Sequence, residues 1–332
     1  MQNLDRKLVV LGTGGTIAGT SADRSDHTGY RAGSVAVSAL LSDLAGVDVA
    51  AIESEQLAQI DSKDMDHATW QSLARRAAHH LARVDVAAVV ITHGTDTLEE
   101  TAYFLHRVLH TGKPVVLTAA MRPATALHPD GPQNLLDAIT VARSSGARGV
   151  VAVMAGQVIG AVDLRKLHPY RLDAFGSGDA GPIGVVEQGR MRRFRAWPHG
   201  LIGADQTHVA LSVDPACWPW VEIVTSHAGA DPRTIDLLVQ AQVRGLVIAA
   251  TGNGTVHRDW EAPLNRASQC GVVVVRSTRC AMGALVGDDT DWLLQAERGE
   301  PLRALAGAGA LTPVQARIAL MLALIEGSAA GR

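Results

Sequence analysis

Val9-Val10-Leu11-Gly12-Thr13-Gly14-Gly15-Thr16 and, further along, Val89-Val90-Ile91-Thr92-His93-Gly94-Thr95-Asp96-Thr97 share one shape. Each runs an apolar strand into a turn rich in glycine and threonine. In an open parallel sheet, ligands bind beyond the carboxyl ends of the strands, so turns leaving two nearby strands can face one crevice. The pair predicts a parallel α/β sheet that delivers two hydroxyls, those of Thr16 and Thr95, to a common site.

Strand-like runs at 8–11, 86–91, 115–117 and 150–154 each precede a turn or helix, the signature of a mainly parallel sheet covered on both faces. Thr97 and Glu100 predict a capping box for the helix after the second turn, whose apolar stripe is Leu98, Ala102, Leu105 and Leu109. After Trp197-Pro198 the alternation lapses into a stretch with Gly200, Gly203, Pro215 and Pro219, which reads as a linker. It resumes at 221–224, 246–249 and 272–275, then closes on a helix announced by Thr312-Pro313 and Gln315 and stopped by Gly327. At 332 residues the chain exceeds the size at which one core usually keeps growing. The expectation is a two-domain α/β fold of mainly parallel sheets flanked by helices. A larger N-terminal domain, 1–198, carries both turns; 199–220 is the linker; 221–332 is the smaller C-terminal domain.

A net charge of −3 with both signs interspersed offers no field to gather nucleic acid or an anionic membrane, so the expected partner is a small molecule. The one basic cluster, Arg190, Arg192, Arg193 and Arg195 around Met191 and Phe194, is read as a half-exposed strand whose arginines deter edge pairing, rather than as an RNA contact. Cys217, Cys270 and Cys280 are an odd number in a chain that needs no staples, which predicts reduced, buried thiols and a cytoplasmic setting. The stretch 318–325 is too short to span a bilayer, and no signal-peptide pattern precedes the first strand.

The first turn is not a phosphate cradle. A dinucleotide fingerprint would need glycine where Ile17 stands, and a P-loop would need a lysine followed by serine or threonine. Glycine here instead lets backbone N–H groups approach a reacting carbonyl, with Gly15 beside Thr16. An unassisted threonine is a poor nucleophile and needs a partner; alternatively Thr16 only caps a helix. Asp96 could bind an ammonium group or hold a lysine, or only stabilise a helix N-terminus. His93 is expected to be packed and hydrogen-bonded, and His79 and His80 to be solvated. No His, Cys and carboxylate grouping has metal-ligand spacing, so neither a metal nor any other cofactor is expected.

Taken together, Gly14-Gly15-Thr16-Ile17-Ala18 and His93-Gly94-Thr95-Asp96-Thr97-Leu98-Glu99-Glu100-Thr101-Ala102 resemble the two signatures of the bacterial-type asparaginases. The similarity continues through Asp61-Ser62-Lys63-Asp64-Met65, Ala119-Ala120-Met121-Arg122-Pro123, Asp130-Gly131-Pro132-Gln133-Asn134-Leu135, Gly252-Asn253-Gly254 and the closing 309–324 region. It implies hydrolysis of the L-asparagine side-chain amide to L-aspartate and ammonia through an acyl-enzyme. It implies Thr16 as nucleophile, Tyr30 on a closing loop at 19–33 as its activating partner, and Thr95, Asp96 and Lys166 as a second catalytic group of Ser-Lys type. It also implies Ser62 on the substrate α-carboxylate, Asp96 on its α-ammonium, and backbone N–H groups near Thr95 and Ala120 on the oxyanion. The family's assembly implies a homotetramer of two intimate dimers, each site completed by the partner's C-terminal domain.

Three positions depart from the pattern of the periplasmic members. Lys63 stands where many carry an uncharged or acidic side chain near the α-ammonium. The partner-subunit glutamate aligns near Thr290, flanked by Asp288, Asp289 and Asp291. Thr255 occupies the place of an asparagine or serine, and since rejecting one extra methylene is worth only about 1 to 3 kcal/mol, some glutaminase activity is expected. The Asp61-Ser62-x-Asp64-Met65 context looks more like the cytoplasmic members. Two other readings stand beside this one. An amidase subunit of a tRNA-dependent amidotransferase would normally carry an RNA-facing module and a partner subunit. A non-catalytic amino-acid-binding protein would be expected to lack a nucleophile or the lysine, yet Thr16, Thr95 and Lys166 are all present.

Overall fold

The computed structural model describes residues 6–44, 51–109, 112–198, 208–287, 292–298 and 305–330, and the chain divides into two compact units with the boundary between Thr207 and His208. In the first unit the strands are β1 (Lys7–Gly14), β2 (Ile52–Ile60), β3 (Val86–Thr92), β4 (Pro114–Thr118), β5 (Gly149–Met154), β6 (Gln157–Gly160), β7 (Arg165–Lys166), β8 (Phe175–Gly176), β9 (Gly184–Glu187) and β10 (Arg190–Arg193). The helices are α1 (Val37–Ser42), α2 (His67–Ala82), α3 (Leu98–Val108) and α4 (Gly131–Ala142).

Eight of these strands form one sheet in the order β10-β9-β6-β5-β4-β3-β1-β2, and β7 pairs with β8 in a separate ribbon. From β2 to β5 every pairing is parallel; β6, β9 and β10 add an antiparallel extension. The parallel part has the 2-1-3-4-5 order of a doubly wound sheet. Its direction of growth reverses between β1 and β3, and a ligand crevice forms at such a switch point. Gly12 pairs with Thr92 at the carboxyl ends of these two strands, so the Gly/Thr turns leave the sheet side by side.

Burial explains the strands. Every residue of β3, β4 and β5 is buried, as a parallel strand covered on both faces requires. One face packs on α1, α4 and Trp197 through Leu8, Val10, Val90, Val116 and Val151. Helices α2 and α3 bury Trp70, Leu73, Ala77, Leu98, Ala102 and Leu105, with Trp70 stacked on Phe104 at 5.0 Å between centroids. Arg190, Arg192 and Arg193 of the arginine cluster lie in β10 at the sheet edge, with Arg192 paired to Glu187, while Arg195 follows the strand and pairs with Asp163. His79 is exposed, but His80 is not solvated: it is buried and lies 2.8 Å from Glu55, because its position on α2 turns toward β2.

The second unit contains a four-stranded sheet in the order β11 (Val221–Thr225), β12 (Gly245–Ala250), β13 (Val273–Thr278) and β14 (Ala306–Gly307), all parallel. Its helices are α5 (Arg233–Gln240), α6 (Arg258–Gln269), α7 (Trp292–Glu297) and α8 (Pro313–Ala330). Ile235 and Trp260 from α5 and α6 pack on Leu246, Ile248 and Val274. Thr312 and Gln315 cap α8 reciprocally, side chain to backbone N–H in both directions. The helix runs through Gly327 rather than stopping there, since burial outweighs the roughly 1 kcal/mol that a helical glycine costs. Of the stretch expected as a linker, 199–207 lies outside the described residues. From His208 onward it belongs to this unit, with Ala210, Leu211 and Trp218 buried and His208 paired to Glu326 on α8. The three cysteines are free but exposed, not buried: Cys217 ends a short 3-10 turn, Cys270 caps α6, and Cys280 lies in the loop after β13.

Candidate active site

The site grows from one close approach. Gly15 takes φ +77°, and a Cβ placed on it would stand 2.3 Å from Cα of Gly94. A Cβ on Gly94 would in turn stand 2.4 Å from Oγ of Ser62. Only two bare glycines let the turn after β1, the turn after β3 and the loop after β2 nest into each other. Hydrogen bonds fix the nest: Gly15 N–H donates to Ile60 O at 2.8 Å, Asp96 N–H to Ser62 Oγ at 3.1 Å, and the Thr97 hydroxyl to Ser62 O at 2.8 Å.

That last bond corrects the expected capping box. Thr97 is the residue before α3, but its hydroxyl makes no capping bond and is drawn instead to the carbonyl of Ser62. Nor is Thr16 a cap. It begins a one-turn 3-10 helix at Thr16–Ala18, whose capping position is Gly15, and its Oγ1 shares a 2.6 Å hydrogen bond with Tyr30 Oη. Tyr30 is carried on a loop tied down by Thr20 and Arg31, which exchange backbone bonds, and by Gly33 N–H on Gly15 O. Burial pushes the Tyr30 phenol above its ordinary value, so near neutrality it is a hydroxyl and not a phenolate.

Lys166, from the short strand β7, donates through Nζ to Thr95 Oγ1 at 3.0 Å and to Asp96 Oδ1 at 2.6 Å. Thr95 is buried, whereas the Asp96 side chain is 54% exposed and open to a ligand. Ser62 is buried, and its oxygen, already accepting from Asp96 N–H, still has its own proton to donate. Ala120 follows β4 and packs on Ile17 and Ala18 behind Thr16.

His93 is fully buried with both ring nitrogens engaged. Nδ1 lies 2.7 Å from the carbonyl of Gly94, an acceptor only, so Nδ1 carries the proton. Nε2 then accepts from the Thr101 hydroxyl at 3.0 Å, whose oxygen accepts from Trp70 Nε1 at 2.8 Å. Burial holds the imidazole pKa down at about 4. The histidine is therefore a neutral brace for the Gly94 turn.

Lys63 is not brought to either threonine. Its Nζ lies between the carboxylates of Asp61 at 3.0 Å and Asp64 at 2.8 Å, which push its proton affinity up, and its side chain is 60% exposed. Thr255 belongs to the second unit, where its hydroxyl bonds Thr251 across an isolated bridge. Thr290 and its three flanking aspartates lie outside the described residues. Among the described residues no cluster of three or more His, Cys, Asp or Glu side chains is placed to hold a metal ion.

Two residues escaped the sequence reading. Asn134 donates to Ala119 O at 3.0 Å and accepts from Ala155 N–H at 3.0 Å, fixing the chain beside Ala120; its place in the Asp130–Leu135 motif was the available signal. Glu99, in the first turn of α3, accepts from Lys166 N–H through Oε2 at 2.9 Å. Burial raises its carboxyl to about 7. Nothing local in the sequence joins Glu99 to β7.

Residues 7–198 match the family model for the N-terminal part of asparaginases, and residues 220–330 match that for the glutaminase/asparaginase C-terminal domain. A probable periplasmic L-asparaginase of Haemophilus influenzae is 35% identical over 322 residues, 96% of this chain and 88% of that protein. A glutaminase-asparaginase of Pseudomonas fluorescens biotype A is 34% identical over 96% of this chain and 86% of its own length. Among solved structures, a probable cytoplasmic L-asparaginase from Campylobacter jejuni superposes with a TM-score of 0.86 at 34% identity, covering 96% of this chain and 95% of the other.

Proposed function

This chain belongs to the asparaginase family and is an amidohydrolase, and on that premise we propose that it hydrolyses the side-chain amide of L-asparagine through an ester on Thr16. The observation that carries the reading is the pairing of each threonine hydroxyl with its own partner, Thr16 with Tyr30 and Thr95 with Lys166, on adjacent turns at the sheet's switch point.

The chemistry follows from those contacts. Thr16 Oγ attacks the amide carbon, and its proton moves to the Tyr30 oxygen as that phenol passes its own proton toward the departing nitrogen. A phenolate is disfavoured here, so the tyrosine serves as a relay and not as a free base. The C–N bond breaks and ammonia leaves. Lys166, as the free amine, draws the proton of Thr95, whose oxygen takes a proton from a water beside it. That water adds to the ester carbon, the bond between the acyl carbon and Thr16 Oγ breaks, Thr16 regains a proton, and L-aspartate leaves. Asp96 and Ser62 receive the α-ammonium and α-carboxylate, and backbone N–H groups near Thr95 and Ala120 receive the oxyanion. Lys63, neutralised by Asp61 and Asp64, presents little repulsion to the α-ammonium. Glutamine, one methylene longer, is a poorer substrate and not an excluded one.

The non-catalytic reading is not favoured, because all four residues of the two pairs are present and in contact. The amidotransferase-subunit reading is not favoured, because the relatives matched over 96% of this chain are a probable L-asparaginase and a glutaminase-asparaginase. The assembly we propose is a homotetramer of two intimate dimers, checked by light scattering. Ammonia release from L-asparagine by wild type, Thr16→Ala and Thr95→Val tests the reaction. Loss in both variants by at least about 100-fold is expected, and wild-type turnover in either removes its role.

A further inference from the structure

We propose that Glu99 is a positioning residue for Lys166, and that the charge state of its carboxyl sets how firmly the lysine is held against Thr95 and Asp96. The inference rests on the proposed role of Lys166.

Three facts converge on it. Lys166 sits on a two-residue strand, β7, which among the described residues pairs with the equally short β8 alone. Such a ribbon is weak by itself, because an isolated two-stranded pairing is marginal. The backbone N–H of Lys166 donates to Glu99 Oε2 at 2.9 Å and so ties the ribbon to α3. Glu99 lies in the first turn of α3, the helix that follows Thr95, Asp96 and Thr97. The lysine is thus anchored twice to the same short run of chain, by its backbone at Glu99 and by its amine at Thr95 and Asp96. One rigid helix start holds both the proton donor and the proton acceptor, which is what a transfer over 3.0 Å demands.

The carboxyl is well placed to act as a switch. Burial disfavours its ionised form, Glu100 on the same helix adds to that, and the Lys166 N–H, Arg165 and the Lys166 ammonium oppose it, leaving it at about 7. A bond to a carboxylate is shorter and stronger than one to a neutral acid. Since the Lys166 N–H favours the ionised form, ionisation must by linkage favour the bond. Above pH 7 the anchor is therefore charged and firm; below it, neutral and weaker.

The test is the pH dependence of kcat/KM for L-asparagine in wild type, Glu99→Gln and Glu99→Ala. Wild type is expected to show a rise of about 3- to 10-fold across pH 6 to 8, the size of the difference between a charge-assisted and a neutral hydrogen bond. Glu99→Gln keeps the shape and an acceptor but not the charge, so its step near pH 7 disappears and its plateau falls to the low-pH level of wild type. Glu99→Ala removes the acceptor and lowers kcat further with KM little changed. A carbon-13 titration of the wild-type glutamate carboxyls, read against Glu99→Gln, supplies a readout independent of turnover and of how the alanine variant folds. A wild-type pH step that survives in Glu99→Gln overturns the proposal, as does a Glu99 carboxyl titrating near 4. Absence of any ammonia release by wild type would instead remove the reading of the site itself.

Discussion

Replacing Gly15 with alanine tests the nested turns directly. The added Cβ would lie 2.3 Å from Gly94 Cα, 2.4 Å from Gly94 N and 2.8 Å from His93 C. All three are backbone atoms, and no side-chain rotation relieves the contact. Ordinary carbon contacts need about 3.5 Å, so the two turns must part by roughly 1 Å. Gly94 cannot retreat freely, because Ser62 lies against it and His93 is braced through Thr101 to Trp70. Overpacking of this kind costs about 1 to 3 kcal/mol, and a non-glycine residue at φ +77° and ψ −171°, a region open essentially to glycine, costs about 1 to 3 kcal/mol more. A misplacement of roughly 1 Å also costs on the order of 100-fold in rate. The expected result is a lower thermal midpoint together with a turnover of asparagine reduced on the order of 100-fold. Gly146→Ala is the control: its φ is +70° but nothing lies within 4 Å of the new methyl, so it should lose some stability and no activity. Gly15→Ala with turnover within about twofold of wild type would refute the nested-turn argument, whatever its stability.

Two further expectations follow from the same contacts. Tyr30→Phe removes the 2.6 Å partner of Thr16 while keeping the ring, and a lost acid–base relay typically costs about 100- to 10,000-fold, so kcat should fall by that order with the fold intact by circular dichroism. His93, held at about 4 against its ordinary 6.5, takes up its proton in the unfolded chain first as pH falls, so its contribution is complete above 6.5 and is lost toward 4. That window is worth about 3 kcal/mol. In urea unfolding, the stability deficit of His93→Asn relative to wild type should shrink by pH 5; a deficit independent of pH would count against the buried neutral ring. Comparing the two proteins at each pH is necessary because Glu99, a carboxyl raised to about 7, acts in the opposite sense.

Much of the architecture is legible because it is written in short-range patterns. Apolar runs ending in Gly/Thr turns mark β1 and β3, and their burial on both faces makes those runs continuous. The edge strand β2 escapes this reading, since its residues are only partly buried and carry Glu53 and Glu55, which pair with Arg83 and Arg76. The Thr312 and Gln315 box is realised, while the same pattern at Thr97 is not, because Ser62 competes for the hydroxyl from a distant part of the chain. Within the site, Thr16, Thr95 and Asp96 stand out as hydroxyls and a carboxylate on turns. Tyr30 and Lys166 are identified through the family resemblance, since neither lies in a pattern that local spacing singles out. Glu99 lies within the second signature but is given no role by either, for its partner is a backbone N–H brought to it by the path of β7.

The central claim is that the substrate acyl group is carried by Thr16. Acid quenching during turnover of L-asparagine by the Lys166→Met variant, in which opening of the ester is slowed, followed by peptide mass spectrometry, locates the ester. The account predicts an aspartyl adduct on the peptide containing Thr16 and none in Thr16→Ala. An adduct on Thr95, or turnover by Thr16→Ala at the wild-type rate, would contradict it.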